Sequence, residues 1–185
     1  MPIYTRATHH LAQVGTGFEP QRIHNWSVEI PDLNENVNYM LAMSLVQGFL
    51  PTCYNEEVPM PYGNEVVYVA GQARWEMGAL LCRDFIDRPA TASLLNWRKS
   101  VYNPDNGAIG LAANYKKEVN LLLSGPDVQE EATDGAYGLR GWTLHGCWPI
   151  RVRAAAQGLD MTSSGIVMAE VALRYDRATA INYSF

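Results

Sequence analysis

The 185-residue chain has only three cysteines, Cys53, Cys82 and Cys147, too few and too far apart for a disulfide framework or a metal-ligand spacing. They read as buried free thiols, and their odd number leaves room for a bond between subunits. Positive charge is equally sparse. The longest basic run is Lys116 with Lys117, and the formal net charge is -5, so the electrostatic footprint of a nucleic-acid binder is missing. No apolar run has the length of a membrane-spanning helix, and the stretch through Thr8, His9 and His10 lacks the apolar centre of a secretion signal. Synthesis and folding in the cytoplasm is therefore the expectation, and the acceptor patterns at Asn25-Trp26-Ser27 and Asn182-Tyr183-Ser184 carry no weight.

Catalytic signatures are missing too: there is no Gly-rich phosphate loop, no serine in a nucleophile elbow and no His pair at helical zinc spacing. His145 and Cys147 would project from one strand face and could share a metal with a distant ligand such as His24, or act as base and nucleophile. Their neighbours Trp142, Leu144 and Trp148 favour apolar packing instead, so neither a catalytic nor a metal site is assigned, and no cofactor is expected.

What the chain does have is apolar and aromatic surface. A hydrophobic content of 48%, with ten Tyr and five Trp, suffices for one sizeable core. Residues 1–21 read as an extended N-terminal arm, 22–176 as the folded domain and 177–185 as a C-terminal tail. Trp26, Val28 and Ile30 alternate as a half-buried strand, and Val37, Tyr39, Leu41, Met43 and Leu45 repeat that period, which predicts a hairpin. From Gln47 to Asn64, Pro51, Pro59, Pro61 and two glycines predict a long extended loop. Its length and its Tyr54, Glu56, Glu57, Met60 and Tyr62 mark it as a docking segment between subunits.

Glu65–Val69 and Arg74–Cys82 read as two strands parted by Ala70 and Gly71. Leu94, Trp97 and Val101 lie on one side of a helix running from about Thr91 to Tyr102. Tyr115–Leu123 reads as a strand and the acidic stretch Gly125–Gly138 as a solvated loop. Trp142, Leu144, Gly146 and Trp148 alternate up to Pro149, and Val167–Tyr175 is the clearest strand. The fold class is thus mainly β: an antiparallel β-barrel or sandwich of about seven strands with one flanking α-helix and a long extended loop. Trp75, Leu94, Trp97, Val101, Trp142, Trp148, Val171 and Leu173 are the expected core.

The order of three segments carries a resemblance. Gly141 to Trp148 (Gly, Trp, Thr, Leu, His, Gly, Cys, Trp), then Pro149, a spacer through Gly158-Leu159-Asp160 and a closing alternating strand, resembles the C-terminal part of myovirus tail tube proteins. Val69-Ala70-Gly71, the aromatic strand around Trp75 and the helix with Asn96-Trp97-Arg98 before Asn103-Pro104 resemble the middle of that family, and Asn25–Ile30 its first strand. The family is related to the inner tube of type VI secretion systems. The resemblance implies a structural, non-enzymatic subunit of a bacteriophage contractile tail. Homo-hexameric rings would stack into a tube inside a sheath, with baseplate and tape-measure proteins as further partners. DNA would pass through the lumen during ejection without specific binding, no membrane would be involved, and the protein would reside in the virion after assembly in the host cytoplasm. A baseplate tube initiator of the same fold is the alternative within that class. A small thiol- or metal-dependent enzyme and a carbohydrate-binding sandwich are the alternatives outside it.

Overall fold

The computed structural model describes residues 26–31, 41, 43–86, 90–123, 140–156, 158–162 and 164–181. The expected N-terminal arm, His24, the acidic stretch 125–138, Val37 and Tyr39 lie outside the described residues. The described chain is mainly antiparallel β. Its strands are β1 (Trp26–Glu29), β2 (Leu45–Gln47), β3 (Cys53–Tyr62), β4 (Glu65–Trp75), β5 (Gly78–Arg83), β6 (Tyr102–Asn103), β7 (Ala108–Ile109), β8 (Lys117–Leu123), β9 (Arg140–Arg153), β10 (Met168–Arg174) and β11 (Arg177–Ile181). The helix α1 (Ala90–Val101) and the single turn α2 (Ala112–Tyr115) lie between them.

The organising element is a bent ribbon. β10 and β11 run along one side of the long β9, pairing Glu170 with Arg153 at one end and Ile181 with Gly141 at the other. The ribbon bends where Gly146 (φ 63°) faces Asp176, whose N–H donates to the His145 carbonyl at 2.9 Å. A Cβ on Gly146 would collide with the Asp176 carboxylate, so both the left-handed backbone and the close approach require glycine there. Before the bend β9 pairs with β8 and β8 with β1; beyond it the order continues through β10 and β5 to β2. One strand changing sheets at a bend gives the two layers of a sandwich corner, and the described strands do not close a barrel.

Both layers point apolar residues inward: Val28, Val119, Leu121 and Leu144 from one, and Leu80, Cys82, Val171 and Leu173 from the other. α1 seals one flank with Leu94, Trp97 and Val101. Its Arg98 Nε donates to the Ile150 carbonyl at 3.1 Å, and the Trp97 indole donates to the Tyr115 carbonyl at 2.7 Å, so helix, strand and α2 are tied by bonds that span the sequence.

Several sequence expectations are corrected. Leu41, Met43 and Ser44 are helical, not part of a strand: Leu41 and Ser44 are buried three residues apart, and the Ser44 hydroxyl donates to the Leu41 carbonyl. A period of two and a helical period coincide over so short a stretch. β1 pairs with β8, and Leu45 belongs to β2, which pairs with β5 instead of β1. Tyr115 ends α2 instead of opening a strand. Pro149 does not stop β9, because it sits at the register shift between Ala172 and Leu173 where the ladder is already irregular. Arg177–Ile181, read as part of a tail, carries β11, with Ala178 buried beside Leu144.

Candidate assembly interface

The largest correction concerns residues 47–64. The expected loop holds β3, which with β4 makes a separate two-stranded hairpin closed by the turn Gly63–Asn64. Ten residues of β3 at about 3.3 Å each make it roughly 33 Å long. The supposed break at Ala70-Gly71 is a β-bulge. Asn55 pairs with Ala73 and Glu57 with Ala70, so β4 carries one extra residue, and the Asn55 amide donates to the Gly71 carbonyl at 3.2 Å. A Cβ on Gly71 would press on the Glu56 carbonyl, which explains a glycine inside a continuous strand.

Almost every residue of the hairpin is exposed, yet both of its faces are apolar. Val58, Met60, Tyr62, Val67 and Val69 share one face; Pro59, Pro61, Val66 and Tyr68 share the other. Tyr62 is 80% exposed and Tyr68 64%. A monomer in water has no use for a ribbon that is apolar on both sides, since an isolated hairpin is marginal and such surface marks an interaction site.

The edges of the hairpin differ. The two-residue turn makes Tyr62 and Glu65 a hydrogen-bonded pair, and alternation then places Pro59 and Pro61 where backbone groups point away from β4. Proline has no N–H to offer, so the outer edge of β3 lacks two donors, while the outer edge of β4 keeps its donors at Val66 and Tyr68.

An aromatic clamp fixes the base. The Tyr175 ring, at the bend of the β10–β11 ribbon, stacks on Phe49 at 6.2 Å and tilts against Trp75 at 5.9 Å. Phe49 precedes β3 and Trp75 ends β4, so both legs are gripped from the core, and the Glu76 N–H donates to the Thr52 carbonyl at 3.0 Å. Burial raises the Tyr175 phenol above its ordinary range. Arg74 pairs with Glu56 across the bulge, whereas Glu57 and Glu65 have no ion-pair partner among the described residues.

Tyr54, Glu56, Glu57, Met60 and Tyr62 thus all stand on one exposed strand, and their neighbours Val66, Val67, Tyr68 and Val69 on β4 were missed. The overlooked signal was an apolar, β-branched run beside a Gly-Asn turn. Of the expected core, Leu94, Trp97, Val101, Val171 and Leu173 are buried, Trp75 and Trp142 pack at its margin, and Trp148 lies edge-on to Tyr115 at 5.8 Å.

His145 and Cys147 do not share a face. The bend at Gly146 sends Cys147 into the core, while His145 bonds Glu118 and Thr179, each at 2.8 Å, on the outer side of the sheet. Burial pushes the Cys147 thiol up to about 12 and the Cys82 thiol up to about 11, which makes both poor nucleophiles. Among the described residues no three His, Cys, Asp or Glu side chains gather as a metal site.

No protein-family model matches the chain, and no curated protein is similar to it. Solved structures are. A chain of the anti-feeding prophage tube-terminating cap is similar at TM-score 0.62 and 17% identity, over 88% of this chain and 91% of that one. A chain of the PVC sheath/tube terminator in the extended state reaches 0.62 at 16% identity, over 88% and 97%. A chain of the PVC sheath-tube complex of an extracellular contractile injection system reaches 0.61 at 16% identity, over 92% and 97%. At these identities the likeness is one of fold alone, shared over most of both chains.

Proposed function

We propose that the chain is a structural subunit of a contractile tail tube, in which hexameric rings stack around a lumen that conducts DNA, and that the β3–β4 hairpin docks on a neighbouring copy. One observation carries this reading: a clamped hairpin roughly 33 Å long with two apolar faces that are exposed among the described residues. The fold shared with tube, cap and terminator chains supports it. Tyr54, Glu56, Glu57, Met60 and Tyr62 are interface residues in this reading, and the role is not enzymatic. Sheath, baseplate and tape-measure proteins complete the assembly in the virion.

A terminator or initiator of the tube is the second reading, favoured by the cap and terminator chains being as similar as the sheath-tube chain. Negative-stain microscopy of the purified chain separates them: a tube subunit grows rods, a terminator or initiator stops at rings, and monomers at high concentration sink both. Replacing Pro59–Tyr68 with Asn-Gly leaves Val58 and Val69 flanking a two-residue turn. That variant should keep its circular dichroism spectrum and lose its rods; rods of unchanged length would remove the hairpin from the interface.

A further inference from the structure

A second exposed apolar surface lies at the opposite end of the sheet from the hairpin. β4 enters β5 at Gly78, and the hairpin base grips Tyr175 at the C-terminal end of β10. At the other end of those strands, Phe85 and Ile86 leave β5, while Leu159, Met161, Ile166 and Val167 belong to the connection from β9 to β10. All six are exposed, Ile86 and Met161 fully so. The two segments are joined where the Asp84 N–H donates to the Val167 carbonyl at 3.0 Å, and within the β9–β10 connection the Ala156 N–H donates to the Met168 carbonyl at 2.8 Å. Phe85, Ile86, Ile166 and Val167 all lie within two residues of the Asp84–Val167 bond, and Leu159 and Met161 stand in the same β9–β10 connection, so the patch is braced at the join of the two segments.

We propose that this patch is the socket that receives the distal half of the hairpin from a second copy of the chain, stacked end to end. The inference rests on the reading of the chain as a stacking subunit and names the contact that does the stacking. A single chain with two unlike apolar surfaces at opposite ends is built for a heterologous, head-to-tail contact, which repeats along an axis instead of closing on itself. Reach agrees with this: β10 spans seven residues, about 23 Å, and the hairpin extends roughly 33 Å, enough to meet the far end of the next copy.

Charge agrees as well. Between Cys53 and Trp75 the hairpin has Glu56, Glu57 and Glu65 against Arg74, a balance of three negative to one positive. The outer sheet face beside the socket has Arg83, Arg151 and Arg153 against Glu170, the inverse. Arg151 holds Glu170 at 2.6 Å with Arg153 at 3.8 Å, and Arg83 has no ion-pair partner among the described residues. The loops beside that face have two carboxylates, the part-buried Asp84 and the exposed Asp160, which accepts from the Thr162 N–H and hydroxyl, so the positive charge belongs to the sheet face and not to the loops.

The test uses the full chain with Cys53→Ser, which removes the one exposed thiol. Tyr62→Cys and Met161→Cys are added together, and assembled rods are oxidised mildly with oxidised glutathione. A covalent ladder running past the hexamer supports the socket. A ladder that ends at the hexamer places the contact within a ring and overturns it, as does linkage of Tyr62→Cys to itself in the singly substituted chain. Leu159→Asp with Met161→Asp, both at exposed positions, provides an independent arm: rods should be lost while the thermal midpoint stays within a few degrees. Rods from that double variant, together with no cross-link, overturn the socket and leave the stacking role standing. A parent chain that never forms rods removes both.

Discussion

Leu173 has no exposed surface, pairs with Gly78 of β5 and Pro149 of β9, and belongs to the single core cluster to which both layers contribute. Leu173→Ala should cost about 2–5 kcal/mol, read as a lower denaturant midpoint at unchanged slope. Gly146→Ala combines the left-handed penalty of about 1–2 kcal/mol with the clash on Asp176, and it should destabilise although the position is only half-buried. The thiols give a pH prediction. Cys82 and Cys147 ionise in the folded chain near 11 and 12, against 9.0 unfolded, so the unfolded chain loses those protons first as pH rises. Their contribution is fully present below pH 9 and is lost between about 9 and 12, so stability should fall across that window. Thiol titration at pH 8 should find one reactive group, Cys53, in the native protein and three in denaturant. Three reactive thiols without denaturant would contradict the buried placement.

At the scale of elements, alternation made β1, β8, the start of β9 and β10 legible, and the spacing of Leu94, Trp97 and Val101 made α1 legible. Each has one face in the core and one outside, which is the condition under which periodicity reports structure. The hairpin lacks that condition. Glu65–Val69 still reads as a strand from its β-branched residues, but its partner and its full length do not, because Pro59 and Pro61 mimic a loop and Gly71 mimics a break. All three departures belong to the candidate interface, which is where local rules are expected to yield to function. The prolines have a testable role. Pro59→Val with Pro61→Val would restore two outward N–H donors to β3 and turn a one-edged hairpin into a two-edged one. Light scattering of the doubly substituted monomer should show faster, irregular aggregation than the parent, while its melting temperature changes little. Equal scattering would mean that the prolines serve something other than edge protection.

For the whole molecule, the pairing of β10 and β11 along β9 joins segments far apart in sequence and was beyond reach of local pattern, as was the bend that separates His145 from Cys147. That architecture divides the energetics in two. The core lies between the layers of the bent sheet and under α1, and no residue of the hairpin beyond the Trp75 clamp belongs to it. Removing Pro59–Tyr68 should therefore shift the monomer's unfolding free energy by less than about 1 kcal/mol, the range of surface changes that touch no buried group. Assembly behaves differently, because contacts made only between folded copies stabilise the folded state by mass action and make the midpoint depend on concentration. Calorimetry of the parent chain over a hundredfold concentration range should show the midpoint rising with concentration. The shortened chain should melt at one temperature throughout, equal to that of the dilute parent. If the shortened chain instead melts far lower at every concentration, the hairpin is part of the folding unit, and its exposed faces owe their apolar character to the monomer rather than to a neighbour.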